Sequence, residues 1–235
     1  MSDPATELAT NTTDHLVADI ERLRVYLDIE HWLVCGVSWG VTLGLTYAER
    51  HPDRVTELVF ASTTMTRASD VHWLYHDAGR FFPEEWACFR SGAPEGEREG
   101  DLVAAYNRLL NEHSDPAVRA RAAKNWCDWE DSLLSLEKGW APSQRYEDAG
   151  FRMTFARLCA HYFSHAAWLD GDELLRNAYR LAGISGFMVH GRLDLGGPPD
   201  VPWLLAPGVA GRGASLRSDW PRRGQRDDRT GDGGG

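Results

Sequence analysis

No stretch of this sequence approaches the ~18 consecutive apolar residues that a membrane span requires, so a bilayer-crossing helix is not expected. Positive charge is in short supply as well. The 25 Lys and Arg stand against 35 Asp and Glu, a formal net charge of -10. Proteins that grip nucleic acid or an anionic membrane surface carry a basic footprint, and neither partner is expected here. Cysteine is sparse: Cys35, Cys88, Cys127 and Cys159 are scattered, with no CxxC pair and no grouping with histidine. Neither a disulfide frame nor a metal cluster follows from such spacing, and free thiols in a reducing cytoplasm are the expectation. Met1 to Thr10 lacks the basic and apolar regions of a secretory signal. The Asn11-Thr12-Thr13 glycosylation pattern is therefore idle.

What is present suits one sizeable core carrying an inserted lid. Residues 11–28 read as an amphipathic helix, with Leu16, Ile20, Leu23 and Leu27 at steps of three and four, and with Asn11, Thr12 and Thr13 as N-cap candidates. A short apolar run, Trp32-Leu33-Val34-Cys35, leads into Gly36-Val37-Ser38-Trp39-Gly40. A second helix follows at Val41 to Arg50 and stops at His51-Pro52-Asp53. Val55 to Ala61 reads as another strand. From residue 69 to residue 182 helical patterns dominate: Pro83 to Phe89, Leu102 to Leu110, Ala117 to Leu136, Phe151 to Trp168 and Asp172 to Leu181. Phe187 to His190 then returns to strand character and ends in Gly191-Arg192-Leu193-Asp194. Most of the ten tryptophans fall between Trp73 and Trp168, where they either surround a pocket or fill a core. The fold class expected is α/β, with about three parallel strands in a core built from 11–68 and 183–206 and a helical cap between the second and third. Residues 1–10 and the Gly- and Arg-rich tail 207–235 are too poor in apolar surface to offset their ordering entropy.

Strand, Gly-x-Ser-x-Gly, helix is the context of a nucleophile elbow. The turn is tight enough that side chains at Gly36 and Gly40 are expected to collide with neighbouring backbone. Ser38 is then held in a strained conformation above the sheet as the nucleophile. The Trp39 amide, at a helix N-terminus, can donate to a developing oxyanion. In this architecture an acid follows the serine in the chain, and Asp194, in a loop after a late strand, suits that place.

From Asn11 to about Trp203 the chain resembles the bacterial proline iminopeptidase family, serine aminopeptidases of the α/β-hydrolase type. The residues that carry the resemblance are Asn11-Thr12-Thr13 with Leu16 to Arg24, Gly36 to Gly40, His51-Pro52, Trp126 and Trp129-Glu130, Ala156-Arg157, His161-Tyr162-Phe163, and His190-Gly191-Arg192 with Asp194. The resemblance implies a peptide substrate with N-terminal proline, cleaved through an acyl-enzyme without metal or other cofactor. It implies Ser38 as nucleophile and Asp194 as triad acid. Glu130 would be a carboxylate for the substrate's amino terminus, and Tyr75 and Phe163 would be aromatics around the proline ring. A protonated secondary amine needs such a carboxylate in a desolvated pocket.

The chain also departs from the family pattern. Leu158-Cys159-Ala160 stands where a second amine-binding glutamate is expected, and Thr64 where a pocket aromatic is. A His-Gly-Gly-Pro-Gly oxyanion loop is absent upstream of residue 11, and Gly196-Gly197-Pro198 comes too late to replace it. No histidine follows Asp194; the last is His190, and His161 and His165 fall in the cap. Without a base the hydroxyl is a weak nucleophile. Loss of a triad member costs on the order of 10⁴ to 10⁶ in turnover, roughly 5 to 8 kcal/mol, so negligible peptidase activity is expected. The Trp32 to Cys35 strand is expected to have an unpaired edge that invites self-association. The compositional break near residue 207 is expected to mark a frame change in a truncated product. An esterase or amidase of the same fold, and a silent fragment that acts only by binding, are the alternatives.

Overall fold

The computed structural model describes residues 8–136, 139–209 and 214–217, the last four as backbone. Helix α1 (Thr13–Tyr26) begins at Thr12, whose side chain accepts from the His15 amide. It packs Val17, Leu16 and Ile20 onto the core. Leu23 and Leu27, expected on the same buried face, are both 51% exposed. The helix is longer than the surface offered to it among the described residues.

Strand β1 (Trp32–Val37) leads through Ser38 into α2 (Trp39–Arg50), and a short turn joins this to β2 (Val55–Ala61). After the cap come β3 (Ser185–Gly191), a short helix at Asp200–Leu205, and β4 (Ala214–Arg217). The sheet runs β1-β2-β3-β4 with every pair parallel. Four strands replace the three expected, because Ala214–Arg217 pairs with the free edge of β3. Backbone pairing along an open edge needs no apolar side chains, so composition gave no sign of it. The rest of the expected disorder beyond 207, apart from Ala206–Gly208, which closes as a helical turn, lies outside the described residues. So does most of 1–10, although Asn11 N–H reaches back to the Leu8 carbonyl.

The two faces of the sheet differ. Rows Val34-Leu58-Gly186 and Gly36-Phe60-Met188 align across the strands. These face α2, burying Leu58, Phe60 and Met188 together with Val41 and Leu45. Each such large side chain contributes about 1.5–3 kcal/mol through its removal from water. The opposite row, Cys35-Val59-Phe187, has Val59 36% and Phe187 46% exposed, and Leu33 and Val37 on the same side of β1 are 50% and 57% exposed. Parallel sheets ordinarily bury both faces. Among the described residues this one buries a single face, and nothing pairs with the outer edge of β1. The short run at 32–35 is therefore not a doubly buried strand: its side chains alternate between packed and open.

The cap has its own core. Helices α3 (Ala68–Tyr75), α4 (Pro83–Ser91), α5 (Leu102–Asn111), α6 (Pro116–Leu133), α7 (Ala149–Ser164) and α8 (Glu173–Asn177) follow in order. Asp101, Asp115 and Asp148 cap α5, α6 and α7 by accepting from first-turn amides. Trp126 and Trp129 are fully buried among Phe89, Tyr106 and Phe82, with Phe89 stacked on Tyr106 at 4.4 Å. The tryptophans of α6 fill a core, and Trp129 also borders a small cavity beside Phe89 and Asn125.

Candidate active site

Gly36 explains the shape of the corner. A Cβ there would lie 2.5 Å from the Gly40 carbonyl oxygen, inside any real contact distance. A Cβ at Gly40 would meet nothing within 4 Å, so the expected collision at that position is corrected. It is the backbone of Gly40 and Val41 at the start of α2 that crowds Gly36. Between them Ser38 sits at φ 55°, ψ -127° as the residue before α2. A side-chain-bearing residue held there costs on the order of 1–3 kcal/mol, and strain of this kind persists only where the surroundings enforce it. Here the Ser38 amide donates to the Ala61 carbonyl at 3.0 Å, and its own carbonyl accepts from Val41 at 2.8 Å. The chain is thereby pinned to β2 on one side and to α2 on the other. Trp39 opens α2, so its amide is among the first-turn groups that lack an intrahelical acceptor.

Ser38 opens onto a cavity of about 390 Å³ between sheet and cap. Trp39, Thr64, Glu130, Cys159, Phe163 and Asp194 line the same cavity. One space thus gathers residues from β1, α2, α6, α7 and the loop after β3. Asp194 is 6% exposed and accepts the Gly196 amide at 3.0 Å. Glu130 faces the cavity from α6, where burial raises its pKa above the ordinary carboxylate range and a hydrogen bond from Tyr75 works against that rise. Burial likewise pushes the Cys159 thiol well above its usual range, with the nearby Glu130 charge adding to it. Cys159 is thus held as an uncharged thiol in the place where a second carboxylate was expected.

Tyr75 does not line this cavity. It is 3% exposed, packs on Trp126 at 4.6 Å and on Phe163 at 5.7 Å, and gives its hydroxyl to Glu130. It stands behind the carboxylate and orients it. Sequence reasoning missed Arg145, Tyr146 and Phe155, which also line the space. Arg145 and Tyr146 belong to a short turn, Gln144–Glu147, that carries no periodic pattern. Ser62 and Thr66, further lining residues, both have positive φ, 48° and 58°.

All nine histidines fall within the described residues, and none lines the Ser38 cavity. His190, nearest in sequence to Asp194, is 1% exposed and committed at both ring nitrogens. Its Nδ1 accepts the Thr63 amide at 2.9 Å, and its Nε2 donates to the Gly197 carbonyl at 2.5 Å. His161 Nε2 meets the Asn11 carbonyl at 3.1 Å, and His165 Nδ1 meets the His161 carbonyl at 2.7 Å.

Residues 1–206 match the family described as alpha/beta hydrolase fold. Among curated relatives, a probable proline iminopeptidase of Streptomyces coelicolor is 47% identical over 208 residues, which is 87% of this chain and 64% of the relative. A proline iminopeptidase of Xylella fastidiosa is 42% identical over 208 residues, 87% of this chain and 65% of that one. The chain thus spans less than two thirds of the length of these relatives. Among solved structures, an alpha/beta fold family hydrolase from Bacillus anthracis superposes with a TM-score of 0.52 at 17% identity, covering 91% of this chain and 68% of that one. At that identity the likeness concerns the fold. No helix among the described residues is long and apolar enough to cross a membrane.

Proposed function

Because the chain belongs to the alpha/beta hydrolase fold family, we propose that Ser38, Asp194 and Glu130 are the nucleophile, the orienting acid and the amine-binding carboxylate of a serine aminopeptidase site for peptides with N-terminal proline. One observation carries this reading: a strained serine at a strand-to-helix corner opens into the same cavity as Asp194 and Glu130. The names of the relatives favour the same substrate class. In the proposed site the Ser38 hydroxyl attacks the prolyl carbonyl, the Trp39 amide receives the oxyanion, and Glu130 holds the secondary ammonium. Phe163 supplies an apolar wall for the ring. Tyr75 fixes the Glu130 carboxylate.

Among the described residues no imidazole borders the Ser38 cavity to take the proton of its hydroxyl. His190, the histidine nearest Asp194 in sequence, lies outside the cavity lining, and both of its nitrogens are held by backbone groups. Turnover by this chain alone is therefore reduced by on the order of 10⁴ to 10⁶. The test is hydrolysis of a proline aryl-amide by purified protein, with Ser38→Ala as control. Ordinary turnover that vanishes in Ser38→Ala would refute the missing base. Turnover that appears only with added imidazole would support it. A second reading, an esterase or amidase, is favoured by Cys159, which leaves the amine end of the cavity with one carboxylate fewer. Simple esters hydrolysed in preference to proline amides would select it. A silent chain acting only by binding would leave Ser38 unlabelled by a fluorophosphonate.

We place this chemistry in a reducing cytoplasm, which suits the four free cysteines. The open edge of β1 and the uncovered sheet face favour self-association.

A further inference from the structure

The cap carries a second group of chemically competent side chains, away from Ser38. His72 and His76 are four residues apart, which stacks them on one face of α3 and its C-cap. Their rings lie 4.5 Å apart at 18°. Asp77, the next residue, turns its carboxylate toward both: Oδ1 is 3.2 Å from His76 Nδ1 and 3.7 Å from His72 Nε2. One ligand atom from each of the three residues lies within 4.8 Å of the others. Ligands at metal–ligand distances of about 2.0–2.1 Å around a tetrahedral ion sit about 3.3 Å apart. Two of the three donor pairs already bracket that spacing, and a small rotation about the exposed His72 side chain would close the third.

We propose that His72, His76 and Asp77 form a binding site for a divalent transition-metal ion, with Zn²⁺ as the occupant. Two imidazoles and one carboxylate are a donor set suited to that ion, and hard cations such as Mg²⁺ prefer oxygen alone. His72 and His76 also line a cavity of about 650 Å³, with Tyr75 and Glu99 among its other walls, and water from it would complete the sphere. The three ligands span the end of α3 and the turn that follows it, Asp77–Arg80. Tyr75 lies between them in sequence and gives its hydroxyl to Glu130. An ion here would therefore clamp the backbone on both sides of the residue that orients the carboxylate of the Ser38 cavity.

The experiment is a calorimetric titration of tag-free, chelator-treated full chain with Zn²⁺. One ion per chain is expected. His72→Ala and His76→Ala should each weaken binding by about tenfold or more, and Asp77→Asn should weaken it less. His31→Ala, an exposed histidine elsewhere, should leave binding unchanged. Both ligand imidazoles are more than half exposed, so these variants are expected to fold, which circular dichroism checks. Absence of binding would overturn the proposal. So would affinity undiminished in the His72→Ala/His76→Ala double variant, since the ion would then sit elsewhere, for instance on the cysteines.

Discussion

Glu49 offers the sharpest quantitative test of the fold. It lies on α2, 2% exposed, and its Oε1 has no hydrogen-bond partner. Burial lifts its pKa from 4.5 to about 8; repulsion from Glu173 adds to the rise, and Arg180 and Arg50 oppose it. The folded protein therefore keeps the proton at pH values where the unfolded chain has released it. That contribution to stability is whole below about pH 4.5 and drains away as pH climbs toward 8. At about 1.4 kcal/mol per unit, linkage between those two values removes about 1 kcal/mol by pH 5 and about 4 kcal/mol by pH 7.5. Glu49→Met keeps the length and helix propensity of the side chain and removes the titration. Urea unfolding at pH 5 and pH 7.5 should then show the variant more stable at the higher pH. The loss of stability between the two pH values should also be about 3 kcal/mol smaller in the variant than in the parent. Equal pH dependence in the two proteins would refute the account, because the carboxyl would then be solvated or paired.

Gly36→Ala should lower stability by about 1–3 kcal/mol through the clash with the Gly40 carbonyl. Gly40→Ala should be neutral or stabilising by a few tenths of a kcal/mol; urea midpoints at constant slope compare them. Tyr75→Phe removes the donor that holds the Glu130 pKa down, so the carboxyl should stay protonated to higher pH, a shift visible in its infrared carbonyl band. Unchanged titration would place Glu130 outside that bond. Leu33→Lys with Val59→Lys should shift sedimentation velocity toward monomer, and a parent already monomeric at high concentration would dispose of the self-association proposal.

Legibility followed the range of the interactions. The elbow was readable because it is local: strand, Gly36, Ser38 and helix are contiguous, and only the reason for Gly40 was misjudged. Most cap helices were readable from periodicity, to within a few residues at their ends, whereas the Asp caps at 101, 115 and 148 were not singled out. Helix α3, eight residues long, was not singled out. Asp194 was reached from its place in a loop after a late strand, and Glu130 only through family resemblance, as nothing in its own neighbourhood distinguishes it from a surface acid. Arg145 and Tyr146 were invisible because a turn has no pattern, and tertiary packing alone brings it to the cavity. The exposure of Leu23 and Leu27 at the end of α1, whose Leu16 and Ile20 do pack, reflects a partner surface that periodicity assumes and does not supply.

Ser38, the proposed nucleophile, hangs from β1, a strand braced among the described residues by a neighbour on one side and by helices on one face. Ser38 is thus mounted on a cantilever, and its aim depends on how stiff that free margin is. If the proposed site lacks its base, a supplied proton acceptor should therefore raise turnover only in part until the margin is also braced. Hydrogen exchange along β1 would be the gauge of that stiffness.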